Sequence, residues 1–235
     1  MSVQVFDDLD ALARAAAERI ATAAEGAVRA HGRFDFGLSG GRTPAGLYRA
    51  LASPAFRERL DWPRVRIYFA DERAVPPTDE RSNFRLARES LIDAAGISPK
   101  HVHRMKGEYP ELDVAVEEYE AHLNEPLDAL VLGVGEDGHI ASIFPGSPLV
   151  MERIRRVAAV TDSPKPPARR LTVTPRVIRE ARRVLALAAG EEKAHAVARA
   201  LEGAADIREV PARMLREYEW FIDRAASREL RDLHE

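Results

Sequence analysis

The apolar run at residues 129–132 is followed at once by Gly133, and then by Gly135 and Gly138. A short apolar run closed by glycine has the length and boundaries of a strand buried on both faces. Such a strand needs cover on both sides, which points to a parallel sheet held between helices. The turn behind it carries few side chains, and it delivers two titratable groups, Asp137 and His139. An apolar turn at residues 140–144 follows and is stopped by Pro145 and Gly146. Ligands of open α/β sheets sit at the carboxyl ends of strands, so both groups are site candidates. A solitary histidine is more often a hydrogen-bonded structural residue; the flanking glycines and the nearby carboxylate favour a functional one.

The rest of the chain alternates in the same sense. Residues 7–30 carry Leu9, Leu12, Ala16, Ile20, Ala23 and Ala27 at helical spacing, which predicts a long amphipathic helix opened by Asp7 and Asp8 and closed before Gly32. Strands are predicted at 34–38, 65–70, 102–104, 157–160, 170–173, 184–188 and 220–222. Helices are predicted at 44–51, 83–91, 112–123, 191–201, behind the Thr174-Pro175 cap, and in the tail from 224 to 235. Pro76 and Pro77 make 71–83 a stiff extended loop, and the prolines of 161–168 exclude regular structure there. Alternating strands and helices specify an α/β fold: a three-layer sandwich with a mostly parallel, Rossmann-like sheet covered by helices on both faces. No repeat or linker divides the chain, so one domain spanning 1–235 is expected.

A second glycine turn stands at the end of the 34–38 strand, in the stretch Ser39, Gly40, Gly41, Arg42, Thr43 and Pro44. Thr43 is expected to cap the next helix and Pro44 to occupy its first position. Strand, glycine turn and helix start together make an anion site, because bare N–H groups and the positive end of the helix point at one spot. A Gly-Gly pair alone is only a tight turn; Ser39, Arg42 and Thr43 add the donors a phosphate needs. Asp71 and Arg73 leave the 65–70 strand at a comparable place, whereas Asp79, Glu80 and Arg81 read as solvated surface. Lys193 opposes the dipole of its helix, a cost relieved by a nearby anion.

Net charge narrows the partners. A formal charge of -3 gives no general attraction to nucleic acid or to an anionic membrane, so any anion must be held by a local cluster. No nucleic-acid or membrane partner is expected, only a small-molecule substrate bound by a monomer or weak homo-oligomer. With no cysteine, thiolate metal sites and thiol nucleophiles are excluded. The first eight residues have neither a basic start nor an apolar core, so a cytoplasmic location is expected.

Four blocks together resemble the 6-phosphogluconolactonases, within the superfamily that also holds the glucosamine-6-phosphate deaminases. They are Leu38 to Pro44, Asp71-Glu72-Arg73 with Ser82-Asn83, Gly133 to Gly146, and Arg170-Leu171-Thr172 with Gly190 to Lys193. Two departures favour the lactonase branch. Deaminases usually have Asp-Glu-Tyr where this chain has Asp71-Glu72-Arg73, and Phe-Asn-Glu-Pro where it has Ser142-Ile143-Phe144-Pro145. The missing glutamate belongs to the deaminase's ring-opening relay.

The resemblance implies hydrolysis of 6-phospho-D-glucono-1,5-lactone, a reaction that needs no metal or redox cofactor. On that basis His139 is expected to act as general base, an ordinary histidine being mostly neutral at pH 7. Asp137 is expected to orient it, although residues two apart need not touch. Arg73 is expected to stabilise the oxyanion, with Asp71 holding Arg73 or a sugar hydroxyl. The phosphate is placed among Ser39, Gly40, Gly41, Arg42, Thr43, Arg170 and Lys193; Arg169 is the alternative to Arg170, which the resemblance favours. A sugar-phosphate sensor and a dinucleotide-binding module are the other classes weighed. The first lacks a recognition helix, and the second lacks the early glycine turn with an acid about 20 residues on.

Overall fold

In the computed structural model, which describes residues 2–231, the strands are β1 (Ser2–Phe6), β2 (Phe34–Leu38), β3 (Val65–Phe69), β4 (Asp71–Arg73), β5 (Ala129–Gly133), β6 (Val157–Val160), β7 (Arg170–Val173), β8 (Val184–Ala188) and β9 (Glu219–Asp223). Six of them form one sheet in the order β1-β9-β8-β5-β2-β3, and every pairing in it is parallel. Successive residues of β5 turn to opposite faces, as a pleated strand requires. Ala129 and Val131 join a core with Leu12, Ile20, Leu47 and Leu51. Leu130 and Leu132 join another with Tyr119, Val197 and Leu201. The expected three-layer α/β arrangement is the one observed.

The helix Leu9–His31 forms where the spacing places it. The Asp8 side chain accepts from the N–H of Ala11, and Gly32, at φ 83°, closes the last turn. Leu12 and Ile20 are fully buried, each contributing roughly 1.5–3 kcal/mol by leaving water. A charge at position 20 would break this face.

A second sheet, in the order β4-β7-β6, is antiparallel. The two sheets meet at Ala70, whose N–H donates to Leu38 O while its own carbonyl accepts from Val173, both at 2.7 Å. The loop expected at 71–83 therefore begins as a strand, drawn into pairing by β7 rather than by its own composition. β1 lies outside the predicted strands, because a partly exposed edge strand carries no apolar run.

Other expectations are corrected. Residues 102–104 form no strand; Val102 makes an isolated bridge to Ile67. Gly41, not Thr43, is the N-cap of the helix Arg42–Ala52, because its φ of 108° turns the chain two residues earlier and leaves Thr43 and Pro44 inside the first turn. The helix expected at 83–91 is α-helical only over Asn83–Ala87 and continues as a π-helix over Arg88–Ile92. Glu191–Lys193 is a 3-10 turn ahead of the helix Ala194–Leu201. The helix expected at 112–123 ends at Glu120. The tail helix is confined to Arg224–Ser227, and residues 232–235 lie outside those described. Among the described residues no helix is long and apolar enough to cross a membrane.

Candidate active site

Three neighbouring strands, β2, β5 and β8, end on one side of the parallel sheet, and a glycine turn follows each. The small sheet closes this space with β4 and β7. Between them lies a cleft of about 310 Å³. Every expected site residue except Asp137 lines it: Ser39, Gly40, Gly41, Arg42, Thr43, Asp71, Arg73, His139, Arg170 and Lys193.

The turn after β2 is rigid for local reasons. Ser39 N–H donates to the Tyr48 hydroxyl at 2.8 Å, and that hydroxyl donates back to Ser39 O at 2.7 Å. Gly41 occupies a backbone conformation that side chains disfavour. No side chain caps the helix that begins at Arg42, so its first N–H groups remain available as donors.

The turn after β5 brings Asp137 and His139 into contact. Asp137 Oδ1 lies 2.5 Å from His139 Nδ1. Backbone bonds from Gly135 N–H to His139 O and from Gly138 N–H to Gly135 O fold the loop back on itself. Gly135 is required here, because a Cβ on it would sit 2.0 Å from His139 Nδ1 and 2.6 Å from Asp137 Oδ1. Burial alone would raise the Asp137 carboxyl, but the hydrogen bond from His139, with Lys165 at 3.7 Å, holds it well below the usual carboxylate range. An ionised carboxylate only accepts, so Nδ1 carries the proton. The Nε2 lone pair is then the basic position of the ring.

The cations differ in their freedom. Arg170 is 4% exposed; its Nε and Nη2 donate to the carbonyls of Pro167, Lys165 and Pro166, and its guanidinium lies over Phe144. The same ring packs 4.6 Å from the imidazole. Burial lowers the pKa of Arg170 and also that of Lys193. Arg42 is bonded to Glu192 at 2.8 Å, with both side chains well exposed. Arg169 donates instead to Pro110 O, away from the cleft lining.

Asp71 does not hold Arg73. Its carboxylate oxygens accept from Asn83 and Ser142, whereas the Arg73 guanidinium donates to Arg81 O. Arg73 Nε is buried without a hydrogen-bond partner. Glu72, unassigned from the sequence, accepts from the N–H groups of Arg73, Asn83 and Phe84 and from Ser82 Oγ, pinning β4 to the helix start. Burial raises its pKa against those four donors. His103 belongs elsewhere, stacked on Tyr68 with the ring of His122 tilted against it.

Comparison with known proteins gives the family. The family model for glucosamine-6-phosphate isomerases/6-phosphogluconolactonase matches residues 7–222. A 6-phosphogluconolactonase of Streptomyces coelicolor is 40% identical over 244 residues, covering 96% of this chain and 93% of its own. The human 6-phosphogluconolactonase is 37% identical, covering 93% of this chain and 88% of its own. The solved 6-phosphogluconolactonase of Trypanosoma brucei superimposes with a TM-score of 0.84 at 27% identity, covering 98% of each chain. A monomeric glucosamine-6-phosphate deaminase shares the fold at a TM-score of 0.85 and 24% identity. The chain belongs to the glucosamine-6-phosphate isomerase/6-phosphogluconolactonase family.

Proposed function

We propose that the chain, acting as one catalytic unit over residues 1–235, hydrolyses 6-phospho-D-glucono-1,5-lactone to 6-phosphogluconate. The observation that carries this reading is the shared cleft, in which His139, held from behind by Asp137, and the glycine turn after β2 line one volume of about 310 Å³. The names of the relatives at 37% and 40% identity support the same choice of substrate.

His139 Nε2 takes a proton from water as the water oxygen attacks the lactone carbonyl carbon. Asp137 holds the ring and stabilises the imidazolium that forms, as a carboxylate does in a hydrolase triad. Arg73, which lines the cleft, faces the developing oxyanion. Asp71, freed from Arg73, accepts a sugar hydroxyl. Collapse of the tetrahedral adduct breaks the bond to the ring oxygen, which takes up a proton, and the imidazolium is holding one. A general base contributes roughly 10²–10⁴, a modest demand that suits an activated ester without a covalent nucleophile.

The phosphate rests on the turn formed by Ser39, Gly40, Gly41, Arg42 and Thr43, with Lys193 and the remaining nitrogen of Arg170 supplying charge. The test is an assay of the purified chain on the lactone, with spontaneous hydrolysis subtracted, beside an ammonia assay on glucosamine 6-phosphate. Lactone turnover without ammonia release supports the reading. Ammonia release, or a lactone rate no faster than the blank, refutes it.

A further inference from the structure

Asp71 is buried, yet it lines the cleft. Its Oδ1 accepts from Asn83 Nδ2 at 2.9 Å and its Oδ2 from Ser142 Oγ at 2.8 Å. Both donors are shut away from solvent, Asn83 at 2% exposure and Ser142 at 0%. Each carboxylate oxygen keeps a second acceptor position for a ligand.

The Asn83 amide has one workable orientation. Its Nδ2 also meets the Asp71 main-chain carbonyl at 2.9 Å, and two acceptors on that side require the nitrogen to face them. Its Oδ1 is thereby left buried without a hydrogen-bond partner. That oxygen packs on the anion-binding turn, where a Cβ on Gly40 would lie 1.9 Å from it. An apolar side chain would fill the same space with no stranded acceptor, so the contribution of the amide lies in what its nitrogen holds.

The donors are themselves anchored. Asn83 N–H donates to Glu72 at 2.7 Å, and Ser142 N–H donates to Thr172 Oγ1 at 3.2 Å. One anchor, Glu72, stands on β4 and the other, Thr172, on β7, so the carboxylate is gripped from two paired strands of the small sheet.

We propose that Asn83 and Ser142 are positioning residues, which aim the Asp71 carboxylate at a substrate hydroxyl and, through the contact of Asn83 with Gly40, fix its distance from the phosphate cradle. The inference rests on the lactonase reading for its substrate and adds two residues to which that reading gives no task.

A double-mutant cycle tests it. Asn83→Ala, Ser142→Ala and Asn83→Asp are assayed alone and combined with Asp71→Ala, with a thermal melt of each. Loss of one hydrogen bond to a charged group predicts about a tenfold fall in kcat/KM for each alanine variant. In the Asp71→Ala background neither alanine lowers activity further, because its target is gone; the bond of Asn83 to the main-chain carbonyl is lost with Asn83→Ala in either background and registers in the melt. Asn83→Asp, equal in volume but setting carboxylate against carboxylate, falls at least as far as Asn83→Ala. Full activity in the singles, or the same fold loss with and without Asp71, overturns the proposal. Should Asn83→Ala fail to fold, the Ser142→Ala cycle and Asn83→Asp decide. Should the unmodified chain turn over no lactone, the lactonase reading falls separately, and the cycle is read in the Kd for 6-phosphogluconate, where independent losses overturn the positioning role.

Discussion

Alanine at position 135 is the sharpest steric probe of the imidazole. The backbone accepts the change, since Gly135 is not among the residues with positive φ. The side-chain space does not: the new Cβ falls 2.0 Å from His139 Nδ1 and 2.2 Å from its Cε1, against an ordinary contact that begins at 3.4 Å. The loop backbone is tied by the bonds of Gly135 and Gly138, so the imidazole must yield, by more than 1 Å. A misplacement of about that size costs roughly 10²-fold in rate, and complete loss of general-base action roughly 10²–10⁴. Gly135→Ala should therefore lower kcat for lactone hydrolysis at least about 10²-fold, with KM changed little because the phosphate cradle lies on a different turn. Circular dichroism and a thermal melt establish that the fold persists. In a His139→Ala background the same alanine should cost nothing more. Normal kcat in Gly135→Ala, or an equal further loss without the imidazole, would refute the reasoning.

Three other outcomes follow from the same geometry. His139→Asn should reduce kcat by about two orders of magnitude or more while product binding, measured by calorimetry, stays nearly intact. Lys193→Ala should raise KM roughly ten- to a hundredfold, the worth of one charge-assisted hydrogen bond, and an unchanged KM would remove Lys193 from the phosphate site. Burial, with the charges of His122, Arg66 and His101, pushes the His103 pKa down to about 4, below its unfolded value of about 6.5. The unfolded chain then takes up the proton first, so stability is full above about pH 6.5 and drains as the pH falls toward 4. His103→Phe keeps the stack on Tyr68 and removes the proton site; urea midpoints between pH 7 and pH 4.5 should fall less in the variant.

What the sequence makes legible depends on how locally each feature is determined. β5 and its glycine turn are readable because an apolar run and successive glycines act within a few residues; the contact of Asp137 with His139 is not, since a spacing of two leaves it open and the bonds that fold the loop back decide it. The glycine turn after β2 is readable for the same reason, though not its cap, since the conformation of Gly41 decides where the helix starts. β4 is three residues long and exists only because β7 pairs with it across about a hundred residues of chain, a relation that periodicity cannot register. The partners of Asp71 are hidden likewise: Asn83 reads as the residue after a helix cap, and Ser142 as part of an apolar turn. Arg170 and Arg169 are indistinguishable in sequence, and the register of β7 separates them by placing Arg170 opposite Arg73.

The proposed reaction requires the imidazole of His139 to stand over the carbonyl carbon of a sugar whose phosphate lies on the turn after β2. A crystal structure with 6-phosphogluconate bound measures this directly. The account predicts a C1 carboxylate oxygen within about 2.6–3.2 Å of His139 Nε2 and the phosphate against Gly40 and Gly41, within reach of Lys193. A product bound with its phosphate elsewhere, or with C1 turned away from the imidazole, would contradict it.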